Sequence, residues 1–93
     1  MKESNIEIPE ELSKEQIQYI VKRFADAARR VKLAGFDGVE IHSAHAYLLN
    51  QFYSPITNHR TDEYTGTTLE GRLRIHKEVI EAVRSEVGED FPI

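Results

Sequence analysis

The sequence has no cysteine. Disulfides, thiolate nucleophiles, zinc ribbons and cysteine-ligated iron–sulfur clusters are therefore excluded within the chain. The absence also fits the cytoplasm, which is the expected location. No apolar run approaches the length of a membrane span. No long block of like charges reads as an interaction tail. The stretch from Met1 to Glu11 is acidic and lacks an apolar core, so it does not read as a signal peptide. The net charge of −4 argues against nonspecific contact with nucleic acid or with an anionic membrane. Neither is expected as a partner. Internal repeats and low-complexity segments are absent as well.

What remains is a soluble, globular profile, 40% apolar and 30% charged. Ninety-three residues make at most one small domain, with a thin margin of stability. Residues 1–12 read as an extended leader, since Pro9 disfavours helix just before it. Residues 13–34 read as a helix. "SKEQ" places Ser13 as N-cap and Gln16 at N3, a capping box. Ile17, Ile20, Val21, Phe24, Ala27, Ala28, Val31 and Ala34 then form one apolar stripe. Gly35 suits the position just past the helix end. Residues 38–42 alternate Val39 and Ile41 with Glu40 and His42, the pattern of a short strand.

Residues 43–66 form a long connection, in which "YLLNQFY" can make a helical turn or two. A stretch of this length without regular structure is usually functional or disordered. Residues 67–88 read as a second helix. "TTLE" offers Thr67 and Glu70 as a capping box, and the apolar stripe runs from Leu69 to Val87 with His76 filling a gap. Residues 91–93 begin another strand. Strands alternating with helices indicate parallel βαβ construction, and a parallel sheet needs several strands with both faces covered. One strand and the start of a second do not make that sheet. The expected fold class is therefore α/β, and the chain reads as a fragment of a larger α/β protein.

The chemistry concentrates in "GVEIHSAHAYLL", residues 38–49. His42 lies at a strand end, His45 three positions on, Tyr47 two further. Four readings compete. A metal site would need a third ligand such as Glu40, His59 or Asp62, and no standard spacing completes the set. No metal is expected. Two satisfied structural histidines are the plain alternative. Phosphate binding is weak, because no glycine falls between Gly38 and Gly66. The catalytic reading is the fullest. Two imidazole N–H groups at the C-terminal end of a parallel strand can converge on one developing oxyanion. A phenol beside them can give a proton to the bound substrate.

The stretch "AGFDGVEIHSAHAYLLNQFYSPITNHRTDEY", followed by "LEGRLR", resembles the old yellow enzyme family of FMN-containing NAD(P)H oxidoreductases. Residues 34–93 match closely and the preceding helix more loosely. The resemblance implies a (β/α)₈ barrel with FMN at its mouth and NAD(P)H as reductant. It implies that His42 and His45 bind the oxygen of an activated alkene, and that Tyr47 is the catalytic proton donor. It implies that the main FMN contacts lie outside these residues, with the arginine of the fifth strand falling just past Ile93. Arg60, Asp62, Tyr64, Glu70 and Arg72 are read as loop-ordering residues.

Three departures stand out. Ala46 replaces a usual glycine, "YTGTTLEG" is one residue longer than the family pattern, and Gly71 stands where asparagine is usual. A whole barrel needs about 250 residues. The expectation is therefore a partial barrel, inactive alone. It would work with the remainder of a barrel or as a homo-oligomer. The alternative is a truncated or split-gene piece that acts only by assembly.

Overall fold

The computed structural model describes residues 7–93. Residues 1–6 of the expected leader lie outside the described residues, and 7–12 have no regular structure. Three helices follow, α1 (Lys14–Leu33), α2 (Leu48–Tyr53) and α3 (Leu69–Val87). Helix α1 begins as the sequence predicts. The Ser13 hydroxyl accepts from the Gln16 N–H at 3.1 Å, and the Gln16 side chain accepts from the Ser13 N–H at 2.8 Å. It ends in a Schellman turn. Gly35, at φ +93°, donates to the Lys32 carbonyl, and Phe36 donates to that of Val31.

The cap of helix α3 lies one residue later than expected. Thr68, not Thr67, accepts from the Gly71 N–H at 3.0 Å. Thr67 instead pairs its hydroxyl with that of Thr65. The N3 residue of α3 is Gly71, which has no side chain to return the bond, so only half a capping box forms. The reason for a glycine there is steric. A Cβ at position 71 would lie 2.3 Å from the Thr65 carbonyl oxygen.

The core lies between α1 and α3. Ile17, Val21 and Ala28 meet Ile75, Val79, Val83 and Val87, and Leu49 and Phe52 of α2 join them with Tyr64. Ile17, Ile75 and Val79 have no exposed surface. Each such side chain contributes about 1.5–3 kcal/mol through burial. The stripes deviate at their margins. Ala25 is buried and Ala27 exposed in α1, while Leu69 and Ile80 of α3 remain exposed.

The strands expected at 38–42 and from 91 do not form as strands among the described residues. A parallel strand is defined by bonds to neighbours, and here one link exists. The Val39 N–H donates to the Pro92 carbonyl at 3.1 Å. Val39, Ile41 and Phe91 still turn partly into the core. The two segments are thus brought together at the place where parallel strands would pair, without the further strands that would extend a ladder. Three carbonyls near the second segment, those of Gly88, Glu89 and Phe91, accept from one nitrogen of Arg84.

Candidate active site

The connection from 43 to 68 builds the candidate site in two parts. The first is the bend that carries the histidines. His45 and Ala46 both have left-handed backbone, with φ +59° and +65°. That region is unfavourable for residues with a Cβ by about 1–2 kcal/mol each. Helix α2 answers this. The Ala46 N–H donates to Asn50 Oδ1 at 2.8 Å, and the Ala46 carbonyl accepts from Gln51 Nε2 at 2.8 Å. Both backbone polar groups of Ala46, one in each of its flanking peptide units, are held by side chains of the helix that starts after it.

The bend gathers the three residues singled out in the sequence. The His42 ring centre lies 5.9 Å from that of His45 and 5.1 Å from that of Tyr47. All three are exposed, Tyr47 by 63%. Glu40 is exposed on the same segment. Among the described residues, no three histidine, aspartate or glutamate side chains come together as a possible metal site. The cluster is instead a set of accessible N–H and O–H donors around one histidine. Such a set suits an oxygen that becomes negative during reaction.

The second part is the brace beneath it. Asn58 is buried, and its Nδ2 donates to the carbonyls of Phe52 and Tyr64, both at 2.7 Å. Its Oδ1 accepts from the Arg60 N–H. The backbone at Gly66 presses on the same residue, where a Cβ would lie 2.3 Å from the Asn58 carbonyl oxygen. Arg60 makes a two-pronged pair with Asp62, at 2.6 and 3.1 Å, and donates to the Leu12 carbonyl at 2.6 Å. The guanidinium and the Tyr64 N–H together hold the Asp62 carboxyl below its usual range, the Arg60 bond being the larger cause. The Tyr64 hydroxyl donates to Glu78 and accepts from Gln18 at 2.9 Å. Burial, with the Glu78 carboxylate behind it, pushes the Tyr64 phenol up to about 12. Arg72 donates to the Tyr53 carbonyl and stacks over the Tyr53 ring at 4.2 Å.

These contacts match the expected loop-ordering role of Arg60, Asp62, Tyr64 and Arg72. Among the described residues, Glu70 makes only an exposed pair with Arg74. The added residue in "YTGTTLEG" leaves the Tyr64 network intact. His76 packs edge-on against Tyr53, with Nδ1 buried and without a hydrogen-bond partner among the described residues. Burial lowers its pKa, against a smaller opposing effect from the Arg72 backbone. Sequence reasoning missed Asn50, Gln51, Gln18 and Glu78. An amide at the third position of a short helix was the available signal for Asn50.

The family model described as NADH:flavin oxidoreductase / NADH oxidase matches residues 1–93. The chain belongs to this family. Among curated relatives, an NADPH dehydrogenase of Clostridium acetobutylicum is 50% identical over 91 residues, which are 98% of this chain and 26% of that protein. A metal reductase of Desulforamulus reducens is 54% identical over 87 residues, 94% of this chain and 13% of that one. Among solved structures, morphinone reductase superposes with a TM-score of 0.85 at 43% identity, covering 92% of this chain and 23% of that one. A second structure of morphinone reductase, in complex with tetrahydroNAD, superposes at 0.83.

This member of the NADH:flavin oxidoreductases thus has the fold of one part of an old yellow enzyme (β/α)₈ barrel. It spans about a quarter or less of the length of the relatives it matches. FMN and NAD(P)H are the cofactor and reductant of the family. Among the described residues, the arginines of the loop and of α3 are committed elsewhere than to a flavin phosphate. Arg60, Arg72, Arg74 and Arg84 each donate to backbone carbonyls. They form no phosphate cradle around the His42 cluster. No helix among the described residues is long and apolar enough to cross a membrane.

Proposed function

We propose that this chain supplies the substrate-binding wall of an FMN-dependent NAD(P)H oxidoreductase that reduces activated alkenes. The observation that carries this reading is the gathering of His45 and Tyr47 around His42 at the end of the 38–42 segment. FMN, when bound and reduced, supplies a hydride to the β-carbon of such an alkene. The substrate oxygen then gains negative charge. His42 and His45 hold that oxygen through their N–H groups, so the charge develops against donors already in place. Tyr47 gives its phenolic proton to the α-carbon. The bend at His45 and Ala46 keeps donors and acid on one side. The remaining strands of a barrel would supply the flavin's own contacts.

Two measurements test this. The chain alone, mixed with FMN, is expected to lose the flavin on desalting and to show no NADPH-dependent reduction of cyclohexenone. Retained flavin with turnover would overturn the need for further strands. In the second, the chain replaces the matching segment of the Clostridium acetobutylicum NADPH dehydrogenase. That chimera is expected to reduce cyclohexenone. His42→Ala or His45→Ala should lower kcat/KM by about a hundredfold or more, and Tyr47→Phe by a similar factor. Unchanged rates in all three variants would sink the reading.

A second reading is a non-catalytic piece that acts by assembly. The exposed apolar residues Leu33, Phe36 and Ile80 favour it, as does the backbone link at Val39, the one that joins the 38–42 and 91–93 segments among the described residues. An inactive chimera that still holds flavin would select it.

A further inference from the structure

The donors of the proposed site sit on a backbone that is unfavourable by itself. His45 and Ala46 are consecutive left-handed residues, and neither is glycine. The bend is immediately followed by Tyr47, the residue that caps α2 without any side-chain bond of its own. Helix α2 has six residues, too few to persist through its own hydrogen bonds. Its first turn nevertheless reaches back over the bend with two side chains. Asn50 accepts from the Ala46 N–H and Gln51 donates to the Ala46 carbonyl. Leu49 and Phe52 anchor the same turn in the core.

We infer that Asn50 and Gln51 are positioning residues that lock Ala46 in the left-handed conformation and thereby aim His45 and Tyr47 at a common substrate oxygen and carbon. The inference rests on the substrate-wall reading for what is aimed, but not for the clamp itself. Neither amide touches the reacting atoms in this arrangement. Their effect passes through one residue, Ala46, whose two chain neighbours, His45 and Tyr47, carry the chemistry. The polarity of the clamp is specific. Position 50 must accept and position 51 must donate.

That asymmetry provides the test. Asn50→Asp keeps an acceptor, whereas Asn50→Ala does not. Gln51→Glu keeps size and shape but replaces the donor with an acceptor facing a carbonyl. In the full chain, NMR reads the conformation directly, because a positive φ gives Ala46 a strong cross-peak between its own amide and α protons. That peak is expected in the parent and in Asn50→Asp, and weakened in Asn50→Ala and Gln51→Glu.

In the chimera, Gln51→Glu and Asn50→Ala should lower kcat about tenfold with little change in KM, and Asn50→Asp should restore the rate lost in Asn50→Ala. Adding Ala46→Gly to Gln51→Glu should recover part of the loss, since glycine needs no clamp to enter this region. An unaltered cross-peak in Gln51→Glu, or equal losses in Asn50→Asp and Asn50→Ala, would overturn the inference. Insensitivity of the chimera to His42→Ala, His45→Ala and Tyr47→Phe would instead remove the substrate-wall reading and leave the clamp standing on the NMR result.

Discussion

Asn58 shows how much one side chain can organise. Two carbonyls accept from its amide nitrogen, and its oxygen takes the Arg60 N–H. Asn58→Asp removes both donors and sets a buried carboxylate against two carbonyls. It should destabilise the chain by about 3 kcal/mol or more, read as a lowered urea midpoint. Asn58→Gln, which keeps the chemistry but adds a methylene, should cost less.

Tyr64 makes a pH-dependent contribution with a definite sign. Its phenol is pushed from 10 up to about 12 in the folded chain by burial, with Glu78 adding to the shift. A raised pKa means the folded state favours the proton. The contribution is therefore complete below the unfolded value near 10 and is lost as pH rises through about 12. Alkaline unfolding followed by circular dichroism should show this loss in the parent and a smaller one in Tyr64→Phe.

At the scale of elements, the two long helices were legible because their signals are local. Ser13 and Gln16 face each other within one turn, and the apolar stripes repeat at helical intervals. The cap of α3 was misplaced by one residue for a physical reason. Thr67 and Thr68 are equivalent in sequence, and only the hydroxyl pairing of Thr67 with Thr65 decides which one caps. Thr68→Ala should cost about 1 kcal/mol, and Thr67→Ala distinctly less, in paired thermal melts.

The strands were legible as patterns but did not appear as elements, because a strand is completed by neighbours rather than by its own residues. At the candidate site, the spacing singled out His42, His45 and Tyr47, and the structure brings their rings near one another. Their support could not, since the bonds from Asn50 and Gln51 depend on a backbone turn that the sequence signals only through Ala46.

At the scale of the whole molecule, packing is uneven. The α1–α3 core is closed, whereas the backbone of 40–43 makes no hydrogen bond among the described residues beyond the neighbouring Val39 link. Hydrogen exchange should therefore divide the chain. Amides of 40–43 should exchange at the earliest time measured, and those around Val79 and Val83 should exchange last. Protection of 40–43 that grows with protein concentration would reveal pairing between copies along this edge.

The close approach of Thr65 to Gly71 constrains how this chain can change by mutation. Any side chain at position 71 collides with a carbonyl of the longer turn. Shortening that turn while glycine stays would leave a helix start with neither side chain nor neighbour over it. The two features form a ridge in mutational space, unfavourable to leave by either single step and open only to a paired change. Libraries that vary position 71 together with the length of 65–67 should recover stable variants that single-site scans discard.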